Sequence, residues 1–345
     1  MPKIQRTLIL VFFCASLTHS PLLSQQTEAP AQQSDANPQF AAAQRLLQEG
    51  KFNDALAQLQ ALAAENPKLP GLSHQLGTAY YKKGEYLKAA QYFTQAVQEN
   101  PQDKEAVQLL GLSYYLAGRP AEAIPYLEKV QTWYPTANVD ASYILGICYI
   151  QQKSYEQARI AFARMFNVPA DSAASYLFTA RMLLRQGFDP IAEEYAQKAV
   201  ALDPKLPLAH FLLGQLYTYK SRIPEAIAEF QKELAIDPAH APTYYELADA
   251  YSRVQKFDDA ERLLQRSIWL DANSTGPYIL MGKVLEKKGE YELAARALQH
   301  AVTMDPNNYV THHLLGQTYR DLGRKEDAER ELKLAEELQE KSDSK

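Results

Sequence analysis

The sequence predicts an all-α chain: nine copies of one helix–turn–helix unit, each a pair of antiparallel helices. Three observations predict it. An alanine recurs in one frame, at Ala55, Ala89, Ala123, Ala158, Ala192, Ala226, Ala260, Ala294 and Ala328, stepping by 34 residues except for 35 between Ala123 and Ala158. A small residue stands twelve positions earlier in every copy, at Ala43, Gly77, Gly111, Gly146, Ala180, Gly214, Ala248, Gly282 and Gly316. Six copies carry a glycine five positions before the alanine, at Gly50, Gly84, Gly118, Gly187, Gly289 and Gly323. Twelve of the 14 glycines thus occupy two repeat positions, which chance does not produce. A period of this length marks a repeat array rather than one compact core.

Each position has a physical reason. The first small residue lies inside the first helix of a pair, helix A. It lets helix B approach closely, which outweighs the ~1 kcal/mol that glycine costs in a helix interior. The second glycine ends helix A, where a left-handed backbone is often needed. The recurring alanine sits in helix B at the closest crossing, where a larger side chain would overpack at a cost of ~1–3 kcal/mol. Pro67, Pro101, Pro135, Pro204, Pro238 and Pro306 close helix B, because proline cannot continue it. Pro70 and Pro207 stand where a new helix begins, and Pro120, Pro190 and Pro224 near the start of helix B, where proline is tolerated. In this frame the repeats begin at residues 36, 70, 104, 139, 173, 207, 241, 275 and 309 and occupy 36–342, with 343–345 as a tail. The one extra residue belongs in the loop PTANVD, since loops absorb insertions without disturbing a helical frame.

Composition agrees. Hydrophobic residues make up 46% of the 345, enough to bury a large apolar surface between stacked helices. The net charge is −5, which gives nucleic acid no electrostatic footprint. The segment before the repeats opens MPKIQRTLILVFFCASLTHSPLLSQQ, with Lys3 and Arg6 ahead of an apolar run of 11 residues from Thr7 to Leu17. That is the pattern of a secretory signal peptide, cleaved after Ser24, and it predicts a periplasmic or extracellular protein. A membrane span would need ~20 apolar residues, and His19, Ser20 and Pro21 interrupt the run too early. Phe13 before Cys14 does not suit a lipoprotein site. Residues 25–35 read as a disordered polar spacer. Removing the leader would leave Cys148 as the one thiol, so packing, not a disulfide, must hold the chain together.

The second repeat gives Leu76-Gly77, Tyr80, Ala89, Phe93, Ala96 and Pro101. These residues closely resemble the tetratricopeptide repeat pattern, and the resemblance runs in frame over all nine copies. It departs at the second alanine of helix B, where Leu62, Val130, Met165, Glu233 and Ser267 stand, and at the closing proline of repeats four and seven. The resemblance implies an α-solenoid, a right-handed superhelix with helix A lining the concave face. It places a groove at repeat positions 2, 5, 9, 12 and 13, which helical spacing also puts on one face. The candidate groove residues are Tyr81, Tyr115, Tyr143, Ile147, Leu177, Arg181, Arg185, Phe211, Tyr219, Tyr245 and Arg253. Aromatic side chains would supply contact area there, and Arg181 and Arg185 would face a carboxylate. The Lys/Asn/Arg clamp of chaperone-binding relatives is not found.

Catalytic and metal patterns are lacking. His312 and His313 are adjacent and point to different sides of a helix, whereas helical metal sites favour an i, i+4 spacing. Gly276 to Val284, GPYILMGKV, mimics a phosphate loop but has one residue too many between its glycines and Val284 where Ser or Thr is required. The expectation is a non-catalytic scaffold without cofactor. It would bind a partner protein or peptide segment, in assembly of envelope or exported complexes. Self-association through the end repeats, or service as an accessory subunit of an envelope enzyme such as a glycosyltransferase, are the alternatives.

Overall fold

The computed structural model describes residues 40–133, 139–187 and 189–343. The leader and spacer, the first residues of repeat one and most of the PTANVD loop lie outside them. The described residues form eighteen helices in nine consecutive pairs and no strand. Helices A are α1 (Ala41–Gln48), α3 (Leu72–Lys83), α5 (Lys104–Leu116), α7 (Val139–Gln151), α9 (Ala173–Arg185), α11 (Ala209–Tyr219), α13 (Ala241–Arg253), α15 (Thr275–Lys288) and α17 (Tyr309–Asp321). Helices B are α2 (Phe52–Glu65), α4 (Tyr86–Glu99), α6 (Pro120–Trp133), α8 (Tyr155–Met165), α10 (Asp189–Leu202), α12 (Ile223–Ile236), α14 (Phe257–Leu270), α16 (Tyr291–Met304) and α18 (Lys325–Asp343). Each helix packs on its chain neighbours, and several helices A also touch the next helix A, as α3 does α5 and α13 does α15. The result is an α-solenoid whose core is a continuous seam rather than a centre.

The crossing within each pair is set by two side chains. The recurring alanine is fully buried in nearly every copy, and four residues on stands a bulky partner such as Phe93, Phe162 or Phe230, except in repeat five, which has Ala196 there. That partner lies against the small residue of helix A. A Cβ added to Gly77 would stand 2.7 Å from the Phe93 ring, so glycine is required where phenylalanine faces it.

Helix A ends in the same way throughout. The residue after the turn donates its N–H five residues back, as Glu85 does to Tyr80 at 3.0 Å and Arg324 to Tyr319 at 2.8 Å. This Schellman closure requires a left-handed residue. Gly50, Gly84, Gly118, Gly187, Gly289 and Gly323 supply it with φ between 74° and 85°. Repeats four, six and seven have no glycine there, yet Lys153, Ser221 and Gln255 adopt φ of 59°, 59° and 62°. The turn is therefore imposed by packing, and the three side chains carry its conformational cost. At Gly84, Gly118 and Gly289 an added Cβ meets nothing within 4 Å, so the cost is one of backbone conformation alone. Gln255→Gly is expected to stabilise repeat seven by about 0.5–1 kcal/mol, the left-handed penalty less the entropy of a new glycine. Slower hydrogen exchange in α13 and α14 would show it, and faster exchange would refute it.

The repeats are tied to one another by a recurring polar bond. An amide in helix B donates to the phenol of the next helix A: Gln60 to Tyr80 at 3.2 Å, Gln197 to Tyr217 at 3.3 Å, Gln231 to Tyr251 at 3.0 Å and Gln299 to Tyr319 at 2.5 Å. Repeat four lacks its closing proline, and buried Arg159 secures that loop instead. It donates to the Ala170 carbonyl, pairs with Asp171 at 3.1 Å and Glu156 at 2.8 Å, and lies 4.6 Å from the Tyr176 ring. Cys148 is buried at the seam, and burial pushes its thiol up to about 12. The closing helix α18 fully buries only Ala328 and Ala335, packs half-buried Leu332 against Gly316, and turns its charged side to water.

Candidate peptide-binding groove

Helices A carry five repeat positions on one side of the array. Where positions 9 and 13 are exposed, as at Arg181 and Arg185, they form a ridge along it, but position 9 is buried at Ile147 and half-buried at Gln215.

The ridge is open at repeat five and at the end of α11 in repeat six. Arg181 and Arg185 lie one turn apart on α9 and are both exposed. Among the described residues neither makes an ion pair or hydrogen bond. Tyr219, at the end of α11, is 68% exposed, far more than an aromatic ring in a packed seam. On the next helix Arg253 is also exposed but is bound to Asp249 at 2.6 Å, one turn earlier on α13. Gln215, on the ridge between Arg181 and Asp249, donates to Glu246 at 3.0 Å. Burial, with the charge of Asp249 beside it, raises the Glu246 carboxyl above its ordinary range.

The aromatic candidates are half-buried walls rather than free anchors. Tyr81 stands edge-on to Tyr86 at 5.7 Å, and Tyr143 tilts against Phe162 at 6.4 Å. Phe211 lies between Phe230 at 6.0 Å and His240 at 5.0 Å. Burial raises the phenols of Tyr81, Tyr115 and Tyr245, so each remains a neutral hydroxyl in the physiological range. Two candidates are corrected outright. Ile147 and Leu177, at 1% and 4% exposure, belong to the hydrophobic core that runs from α7 to α13. Helical spacing puts them on the groove side, but packing in that core covers them.

Gln215, Glu246 and the exposed Leu116 were not read from the sequence as groove residues. Gln215 and Leu116 occupy positions 9 and 13, so the period itself carried their signal. Toward the C-terminus the ridge bears exposed Lys283 and Lys287. Beside them, burial raises Glu286, which accepts a hydrogen bond from the Thr318 hydroxyl.

The histidines are structural. His312 Nδ1 meets Glu331 at 2.7 Å and its Nε2 meets the Pro306 carbonyl at 3.0 Å, while His313 is exposed on the other side of α17 and contacts Gln317. His210 makes the equivalent contacts to Glu229 and the Pro204 carbonyl. No group of three His, Cys, Asp or Glu that could hold a metal ion occurs among the described residues, and none of their helices is long and apolar enough to cross a membrane. Gly276 to Val284 is helical throughout as part of α15.

No curated protein matches the sequence. Among solved structures the chain is similar to MamA from Desulfovibrio magneticus, at 21% identity over 51% of this chain and 97% of that one, with a TM-score of 0.45. It is similar to PilF of Pseudomonas aeruginosa, at 20% identity over 60% of this chain and 97% of that one, TM-score 0.48. It is also similar to the Cut9–Hcn1 hetero-tetramer of APC/C, at 23% identity over 77% of this chain and 52% of that one, TM-score 0.46. Three tetratricopeptide repeat models match the sequence itself, over residues 74–138 and 179–241, over 114–181 and 285–344, and over 243–278. With nine helix pairs and these matches along most of its length, the chain belongs to the tetratricopeptide repeat family, an all-helical scaffold for protein interaction.

Proposed function

We propose that the ridge over repeats five and six binds a segment of a partner protein, and that the chain serves as a non-catalytic scaffold in assembling exported or envelope complexes. One observation carries the site: two adjacent exposed arginines without a counter-ion among the described residues, beside a tyrosine that is 68% exposed. An exposed, unpaired guanidinium is available for a carboxylate, which it can grip with two parallel bonds. The partner segment would set a carboxylate between Arg181 and Arg185 and an apolar side chain on Tyr219. The basic, apolar leader supports the exported setting.

The test is capture from the envelope fraction of the host with the full chain as bait, against an Arg181→Glu/Arg185→Glu variant and a Tyr219→Ala variant. A charge-assisted bond contributes about 1.5–3 kcal/mol, so losing it should weaken the partner by roughly tenfold to a hundredfold. The arginine variant should lose the partner while its helical circular dichroism is unchanged. A partner that both variants retain would move the site off this ridge. Recovery of the chain only from the cytoplasmic fraction would remove the exported role.

A further inference from the structure

The chain is acidic overall, at −5, but the C-terminal halves of two outer helices in repeats seven and eight carry cations and no carboxylate. Helix α14 buries Ala260, Leu264 and Ser267, which leaves Arg262, Arg266 and Trp269 on the opposite face. Helix α16 repeats the arrangement: Ala294, Leu298 and Ala301 are buried, and Arg296 and His300 lie opposite. Neither Arg262–Leu270 nor Arg296–Met304 contains a carboxylate. The first turns do carry carboxylates: exposed Asp258 pairs with Lys288 at 2.9 Å, Asp259 is bound to Arg262, and Glu292 is exposed at the start of α16. Asp271 and Asp305, just past the two helices, accept the backbone N–H of Asn273 at 3.1 Å and Asn307 at 3.3 Å.

Two features make this face more than a solvated stripe. Trp269 is 71% exposed, the most exposed large hydrophobic side chain among the described residues. The Arg266 guanidinium lies 4.2 Å from the centre of its ring and 6.0 Å from that of Tyr244. An arginine stacked on an aromatic face keeps its N–H edge free for phosphate oxygens. Arg266 and Arg296 form no ion pair among the described residues. On α16 the His300 ring sits 4.3 Å from Tyr278, the same pair of repeat positions as Tyr244 and Arg266.

We infer that this outer face of α14 and α16 docks on an anionic phospholipid surface, with Trp269 at the headgroup level and Arg262, Arg266 and Arg296 on the phosphates. Tryptophan favours that depth, where its ring is apolar and its N–H stays wet. Cations on a helix face add attraction to anionic lipid, and the tryptophan adds the apolar contact that fixes this face on the surface. The groove on helices A would then point away from the membrane, toward a partner.

Sedimentation of the full chain with vesicles tests the inference, using phosphatidylcholine alone and phosphatidylcholine mixed with phosphatidylglycerol. Binding should rise by about tenfold or more with the anionic lipid. An Arg262→Glu/Arg266→Glu/Trp269→Ala variant should lose that rise, and the Arg181→Glu/Arg185→Glu groove variant should keep it. Any contribution of the leader is common to all three chains. In a Trp133→Phe chain, where Trp269 alone emits, fluorescence should shift to the blue on the anionic vesicles only. No rise with phosphatidylglycerol, a rise that the outer-face variant shares, or an unmoved Trp269 emission would each overturn the inference. Loss of a captured partner in the groove variant, with vesicle binding intact, would separate the two surfaces.

Discussion

Phe93→Ala is expected to cost about 3–5 kcal/mol, because it removes a fully buried ring from a crossing that cannot collapse. Gly77 faces that ring, and the backbone of α3 already approaches as closely as a residue without Cβ allows. Gly77→Ala should be destabilising too, by about 1–2 kcal/mol. Helix propensity favours alanine by ~1 kcal/mol, but the new Cβ would stand 2.7 and 2.8 Å from ring atoms, and a ring cannot yield as a flexible chain end does. The other repeats show the way out. Each phenylalanine at this position faces a glycine, at Gly77, Gly146 and Gly214, whereas leucine stands opposite alanine in repeats one and seven (Ala43 with Leu59, Ala248 with Leu264) as well as opposite glycine at Gly111, Gly282 and Gly316. The two positions share one volume. Gly77→Ala/Phe93→Leu should therefore lie within about 1 kcal/mol of the parent, far better than the sum of its parts, since residues in contact do not add. Repeat arrays unfold locally, so hydrogen exchange in α3 and α4 is the fitting measurement. A double variant as unstable as the sum of the singles would show that the crossing is not set by this pair.

Much of this was legible in the sequence because the repeat states its rules up to nine times. The alanine frame, the small residue and the closing proline announce an alternation of paired helices, and the described residues form eighteen helices in nine pairs. What was not legible depends on neighbours. Positions 5, 9 and 12 lie on one helical face in any register, so the period cannot say that Ile147 and Leu177 are covered while Arg181 is open. The packing of the neighbouring helices decides that. Lys153, Ser221 and Gln255 look like ordinary helix-ending residues, and their left-handed backbone follows only from the turn the packing imposes. Trp269 belongs to the same class. Its face is visible only once α14 has been given an inside.

The departures from the repeat pattern lead to the second large effect. Glu233 stands where the pattern has alanine and is fully buried, an expensive position for a carboxylate without partners. Its partners are the backbone N–H groups of Leu208 at 2.7 Å and Phe211 at 3.1 Å. Helix α11 has no side-chain cap of its own, so a residue from α12 serves as one, at the positive end of the helix dipole. Ser267 does a related thing one repeat later, donating to the Ala241 carbonyl at 3.1 Å. By family pattern, Glu233→Ala restores the usual residue and ought to be harmless. The structure predicts the opposite, a loss of about 2–3 kcal/mol, because two N–H groups are left unsatisfied beside a new void. Glu233→Gln should cost less, since its carbonyl oxygen still accepts one bond while its amide faces the other donor. The amides of Leu208 and Phe211 report directly: in the alanine variant their exchange should quicken by about thirtyfold or more, the kinetic equivalent of that loss. Unchanged exchange at both amides would mean that water replaces the carboxylate and that Glu233 is tolerated rather than used. The result bears on function, because α11 carries Phe211 at one end and Tyr219 at the other. If the buried cap fixes that helix, the variant should bind its partner more weakly without a single ridge residue having been changed.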